Sequence, residues 1–322
     1  MKKNWTLMGA TIALGAMLAA CGTDSNAAGG DQNDSASEGE EQKEEVVVTH
    51  ELGETTVPVN PENVVVFDFG ALDTLDELGV DVAGVAQTNI PSYLSKYEDS
   101  EYENVGSLKE PDFEKISEMA PGLIVISGRQ SDAYDELSEI APTVYVGVDN
   151  ADYVNSFEEN TRILGEIFGK EDEVEQKIEE VHAQIDKVAD HVEEAGTEGL
   201  IVLVNDGSLS AYGPSSRFGL IHDVLGVTPV DENIEVNVHG QSVSFEYVAE
   251  KNPDYLFVVD RGAAVSGGDS SATQVLDNEL INSTDAAKED HIVMLNPDYW
   301  YLSGGGLQST AAMVQEIDEV LE

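Results

Sequence analysis

Two periodicities alternate along most of this chain. Short runs rich in Val, Ile and Leu, as buried strands require, are separated by stretches whose apolar residues recur every three or four positions, as on one face of a helix. The strand-like runs fall at 64–67, 82–85, 123–127 and 143–146 in the first half, and at 200–205, 228–230, 255–260 and 292–295 in the second. This alternation predicts an α/β protein with mostly parallel sheets. One unit occurs twice: residues 113–125 (FEKISEMAPGLIV) align without gaps with 245–257 (FEYVAEKNPDYLF). Each copy reads as a short helix, a proline stop and a buried strand, and each is followed by an arginine, Arg129 or Arg261. A shorter echo pairs Leu78-Gly79-Val80 with Leu225-Gly226-Val227. Two similar lobes are therefore expected, 46–154 and 197–322. Between them, Ile163, Leu164, Ile167, Val174, Ile178, Val181, Ile185 and Val188 fall on one helical face, predicting a single long linking helix over 155–196. Gly165 and Gly169 are the places where it could bend or be interrupted.

The ends of the pattern differ from its middle. Lys2 and Lys3 precede an uncharged apolar run at 5–20, too short for an ordinary membrane span and flanked by a polar tail, so 1–20 reads as a signal peptide. The chain's one cysteine follows directly, in Leu18-Ala19-Ala20-Cys21-Gly22, which resembles the lipobox of bacterial lipoproteins, where the cysteine is lipidated. A lipid-anchored protein on the outer face of the cell membrane is expected. Residues 21–45 are mostly Gly, Ser, Gln and acids, with seven acids between Asp31 and Glu45, a composition that cannot offset its ordering entropy and predicts a disordered acidic tether.

Charge narrows the functions. The chain has 15 Lys and Arg against 64 Asp and Glu, a net charge of −49; without 1–20, 13 bases face the same 64 acids, a net −51. Nucleic-acid partners are excluded, because no basic surface can displace counterions from phosphate. Adhesion to anionic lipid through a basic patch is excluded on the same ground, leaving the anchor as the membrane contact. Such acidity fits a surface adapted to salt or high pH.

Four arginines stand out against this background. Arg162 lies among Glu158, Glu159 and Glu166 on the linking helix, where pairing at helical spacing explains it. Arg129 and Arg261 each follow a predicted strand, and Arg217 lies in the turn after Gly213-Pro214-Ser215-Ser216. Ligands of open α/β sheets collect at the carboxyl ends of strands, and the guanidinium fork suits bulky delocalised anions. Together the three predict an anion site. Catalytic signatures are missing: there is no Gly-x-Ser-x-Gly elbow, His-Glu-x-x-His helix or phosphate loop, and Gly304-Gly305-Gly306 opens no βαβ unit. A binding protein is expected rather than an enzyme such as an esterase.

The segments 64–70 (VVVFDFG), 105–108 (VGSL), 126–130 (ISGRQ), 213–219 (GPSSRFG), 239–242 (HGQS), 259–261 (VDR) and 300–306 (WYLSGGG) resemble, in order, the class III substrate-binding proteins of metal-chelate ABC importers, especially ferric-catecholate receptors of the petrobactin type. The resemblance implies the class III periplasmic-binding-protein fold, monomeric and with no permanent cofactor. It implies a shallow cleft in which Arg129, Arg217 and Arg261 neutralise an anionic ferric siderophore. His239 and a tyrosine near Trp300, Tyr301 in preference to Tyr299, would reach iron wherever the siderophore leaves coordination sites open; phenolate suits hard iron(III), with imidazole an acceptable partner. Glu114 and Glu246, equivalent in the repeat, would dock on the importer's permease. Haem or a corrinoid is the alternative ligand on the same architecture.

Overall fold

The computed structural model describes residues 44–266 and 272–321, and the counts below refer to these; the expected signal peptide, Cys21 and nearly all of the expected tether lie outside them. The first half is built on a five-stranded, wholly parallel sheet: β3 (Val64–Val66), β4 (Gly84–Val85), β5 (Glu103–Asn104), β6 (Leu123–Ile126) and β7 (Thr143–Tyr145), in the order β5-β4-β3-β6-β7. Before it, β1 (Glu45–His50) and β2 (Gly53–Pro58) form an antiparallel hairpin. The hairpin is absent from the sequence expectation, and its first residue, Glu45, is the last residue of the expected tether. Its burial alternates along β1, with Val46 and Val48 inside and Val47 out.

The second half repeats this plan and extends it. Its sheet contains β8 (Glu198–Asn205), β9 (Ser208–Tyr212), β10 (Thr228–Pro229), β11 (Gln241–Val243), β12 (Tyr255–Asp260) and β13 (Ile292–Leu295). The order is β11-β9-β8-β12-β13, with β10 also on β8; β8, β10, β12 and β13 pair in parallel, and β9 and β11 add an antiparallel edge. Thus β3-β6-β7 corresponds to β8-β12-β13. The twofold sequence unit is a structural one as well. Helices Phe113–Met119 and Phe245–Lys251 are capped by Asp112 and Ser244, which accept from the backbone N–H three residues on at 3.0 and 3.3 Å. Both helices end in left-handed residues, Ala120 (φ 46°) and Asn252 (φ 45°), before the proline, and Ile116 and Val248 are buried at the same position.

The link departs from expectation. Instead of one helix over 155–196 there are two, Tyr153–Phe168 and Glu171–Ala195. Gly169 adopts the left-handed conformation (φ 61°) and ends the first, its N–H returning to the Gly165 carbonyl. The first helix begins in the core that the second helix fills, through Tyr153 and Phe157, and its last turns serve another. Leu164, Ile167 and Phe168 pack with Val66, Leu72 and Val125 of the first half, whereas Val174, Ile178, Val181, Ile185 and Val188 pack with Phe257, Val259 and the C-terminal helix Leu307–Leu321. One straight helix would carry both apolar faces along a single line; the break re-aims the second. No helix among the described residues is long and apolar enough to cross a membrane.

Candidate functional site

The carboxyl ends of both parallel sheets open on one cleft. In the first half, β6 ends in a turn that Gln130, itself buried, ties down: Ser127 N donates to Gln130 Oε1 at 3.1 Å, and Gln130 Nε2 donates to the Leu108 carbonyl. That turn presents Arg129. In the second half, Arg261 follows β12 directly, and Asp260 caps the helix it begins, accepting from Ala263 N at 3.0 Å. Arg217 leaves the turn after β9. There Ser216 Oγ donates to the Gly213 carbonyl, and Phe218 is anchored in the core edge-on to Tyr212, with centroids 4.6 Å apart.

All three arginines converge on one residue. Arg129 and Arg217 both donate through a terminal NH2 group to the Tyr301 carbonyl, the former at 3.2 Å, while Arg261 Nε donates to the Tyr301 hydroxyl at 3.0 Å. The Arg217 guanidinium also lies over the Tyr301 ring, 4.2 Å from its centroid, a cation–π contact. Arg261 is steadied by Asn205 Oδ1, 3.0 Å away at the end of β8. Among the described residues Arg162 is the arginine that forms carboxylate ion pairs, with Glu158 and Glu175 at 2.7 Å, whereas the cleft arginines bind neutral oxygens. Their positive charge therefore remains available to a ligand. Burial and the nearby Arg129 charge pull the Arg217 pKa below its ordinary value, although a guanidinium stays charged at neutral pH. For the Tyr301 phenol, burial pushes upward but the Arg217 and Arg261 charges outweigh it, so the pKa is lowered and the phenolate is easier to form.

Two cavities that share lining residues make up the cleft. One, of about 400 Å³, is lined by residues including Asp68, Arg129, Tyr145, Arg217 and Tyr301; the other, of about 350 Å³, by Lys109, Arg129, Arg261 and Tyr301 among others. Arg129 and Tyr301 border both. Tyr301 belongs to a π-helical turn, Asp298–Leu302, held from two sides. On one side, buried Trp300 donates its indole N–H to Glu316 Oε2 at 2.7 Å. On the other is a clasp to the first half. Asp73, on the helix Phe69–Glu77 and fully buried, accepts from Gln308 N (2.8 Å), Ser309 N (2.7 Å) and the Tyr93 hydroxyl (2.9 Å), which also lies 2.7 Å from Ser303 Oγ. Burial raises the Asp73 pKa to about 6, even against these donors. Glycine is required at the joint, because a Cβ on Gly306 would stand 2.5 Å from Asp73 Oδ2 and from the Gly70 carbonyl.

The structure thus brings Arg129, Arg217, Arg261 and Tyr301 together. It leaves His239 apart: exposed, with its backbone N–H on Asn237 Oδ1, it lines neither cavity, although its neighbour Val238 lines the larger. Tyr299 packs at a tilt against Tyr93, with ring centroids 4.9 Å apart, and lines neither cavity. Glu114 and Glu246 are exposed at equivalent positions in the first turns of their helices. The sequence reading passed over Asn205, Asp68 and Asp73. The first two stand at or just beyond the ends of predicted strands, where the strand-end rule could have found them; Asp73 was signalled by being an acid amid apolar helix neighbours.

The chain is 47% identical over 324 residues to the petrobactin-binding protein YclQ of Bacillus subtilis (strain 168), covering 99% of each. It is 32% identical to the ferric-anguibactin-binding protein FatB of Vibrio anguillarum, over 84% of this chain and 86% of that one. The crystal structure of YclQ superposes with a TM-score of 0.85 at 51% identity, covering 87% of this chain and 99% of that one. The catecholate-siderophore binding protein VctP of Vibrio cholerae superposes at 0.82 and 37% identity, covering 86% of this chain and 100% of that one. Residues 64–299 match the family model described as periplasmic binding protein, and the chain belongs to that family.

Proposed function

We propose that this protein is a lipid-anchored receptor that binds an anionic ferric siderophore of the catecholate type and delivers it to an ABC importer, without chemical change to the ligand. The observation that carries the reading is the convergence of three arginines, none satisfied by a carboxylate among the described residues, on Tyr301 between two sheets. Three fixed positive charges in a cleft of an acidic protein favour a bulky, multiply charged anion, and guanidinium offers directed donors to catecholate oxygens. The readied phenol of Tyr301, with His239 if its loop closes inward, supplies donors for iron left open by the chelator. Iron in this reading is cargo. The lobes 46–154 and 197–322 flank the ligand, Glu114 and Glu246 present it to the permease, and Cys21 holds the monomer at the outer face of the cell membrane. The names of the relatives, binding proteins for petrobactin and ferric anguibactin, support the ligand class.

The test is a titration followed by Trp300 fluorescence against ferric catecholate, ferric hydroxamate, haem and a corrinoid. Ferric catecholate should bind tightest. Alanine at Arg129, Arg217 or Arg261 should each weaken that binding by about 1 to 3 kcal/mol, the value of a charge-assisted hydrogen bond. Unchanged affinity in all three variants would remove the site.

A further inference from the structure

The larger cavity is not uniformly cationic. Asp68 lines it beside Arg129 and Arg217, and it is the one carboxylate among the described lining residues. It stands just past the carboxyl end of β3, which pairs with β6, the strand that leads to Arg129. Despite this proximity the two do not pair: Arg129 donates to the Tyr301 carbonyl, and Asp68 uses Oδ1 to cap the helix Phe69–Glu77, accepting from Ala71 N at 2.9 Å. Its second oxygen has no hydrogen-bond partner among the described residues. The nearby Tyr145, whose hydroxyl is pushed up to about 12 by burial and by Glu51 and Asp68, remains a neutral donor on the same wall. A receptor for a purely anionic ligand gains nothing from a carboxylate here, since Asn or Ser would cap the helix about as well.

Resting on the function proposed above, we infer that Asp68 is a specificity-determining residue that pairs with a protonated amine in the ligand's backbone. The cleft is thereby matched to a chelate that is anionic at its iron-binding groups and cationic along its linker. The arginines take the first, and Asp68 takes the second and discriminates against chelates whose linker is neutral.

Two ferric complexes separate this from simple capping. One chelator is a bis-catechol amide on a linear triamine whose central secondary amine is free; the other carries a methylene in place of that amine. The parent protein should prefer the amine-bearing complex by about three- to tenfold, the range of a partly desolvated ion pair. Asp68→Asn, which keeps the cap and removes the charge, should erase that preference while its thermal midpoint stays near the parent's. If Asn does not fold, Asp68→Ser provides the same neutral cap. Equal affinity of the parent for both complexes, or a preference that survives in the neutral variant, overturns the inference alone. Binding of neither complex by the folded parent overturns the proposed function and this inference with it.

Discussion

The two copies of the helix–proline–strand unit share a backbone and differ in what their arginines do. Both end their helix in a left-handed residue before the proline, and both deliver an arginine after the strand. Arg129 leaves a turn fixed by Gln130 and reaches a carbonyl, whereas Arg261 opens a helix and reaches a hydroxyl, braced by Asn205. What joins them is not repeated: the π-helical turn bearing Tyr301 occurs once, near the end of the chain, and is clasped to the first half by Asp73. The difference teaches that duplication of a fold places like charges on two sheets, while a single unrepeated segment makes them one site.

Breaking the unrepeated part should have the largest effect. Asp73→Ala strands two backbone N–H groups inside the protein and leaves the Tyr93 hydroxyl with Ser303 alone, with an expected loss of about 3–5 kcal/mol of stability by urea unfolding. Ligand affinity should fall with it, since Tyr301 loses its mooring. A loss below about 1 kcal/mol would show that the clasp is dispensable.

Titration sharpens the same contrast. The folded pKa of Asp73, about 6, lies above the ordinary value of 3.8, so between those values the native state holds more protons than the unfolded one. Its contribution to stability is present below pH 4 and is lost as pH rises through 6, by up to about 3 kcal/mol. Buried His222 has the opposite sign: burial lowers its pKa below 6.5, so its contribution is full above 6.5 and is lost as pH falls. Asp73→Asn should therefore show a steeper rise of stability with pH between 4 and 6.5 than the parent. An unchanged slope would remove Asp73 from the titration.

The smallest effect compares the repeats directly. Ala120 holds φ 46° with no side-chain compensation, so Ala120→Gly should stabilise by about 1 kcal/mol. Asn252 tolerates the same conformation, and its side chain bonds Asp285 in both directions, at 2.7 and 2.9 Å. Asn252→Gly should cost about 1 kcal/mol. Equal signs in thermal melts would show that the two caps are energetically alike.

Much of this was legible from residue types. Continuous apolar runs located eight of the nine strands that pair in parallel, because buried strands need such runs; the repeat located Arg129 and Arg261 at strand ends. The hairpin β1–β2 and the short strands β5, β9 and β11 were missed. Strands at an edge or in a hairpin, such as Gly53–Pro58, mix polar and apolar residues and carry little signal of their own. The linking segment was read as one helix, with Gly165 and Gly169 as candidate interruptions, because both of its helices share one period; the break depends on the left-handed conformation of Gly169 alone.

By itself, then, the sequence determined the α/β class, the duplicated unit and the scarcity of cations that singles out Arg129, Arg217 and Arg261, since these follow from periodicity and composition. Only the tertiary structure decided that the three meet on Tyr301, that Asp73 moors its turn, that Asp68 faces the same cavity and that His239 stands outside it. Those contacts span up to about 240 residues of chain, and no local pattern encodes a hydrogen bond between side chains that only packing brings together.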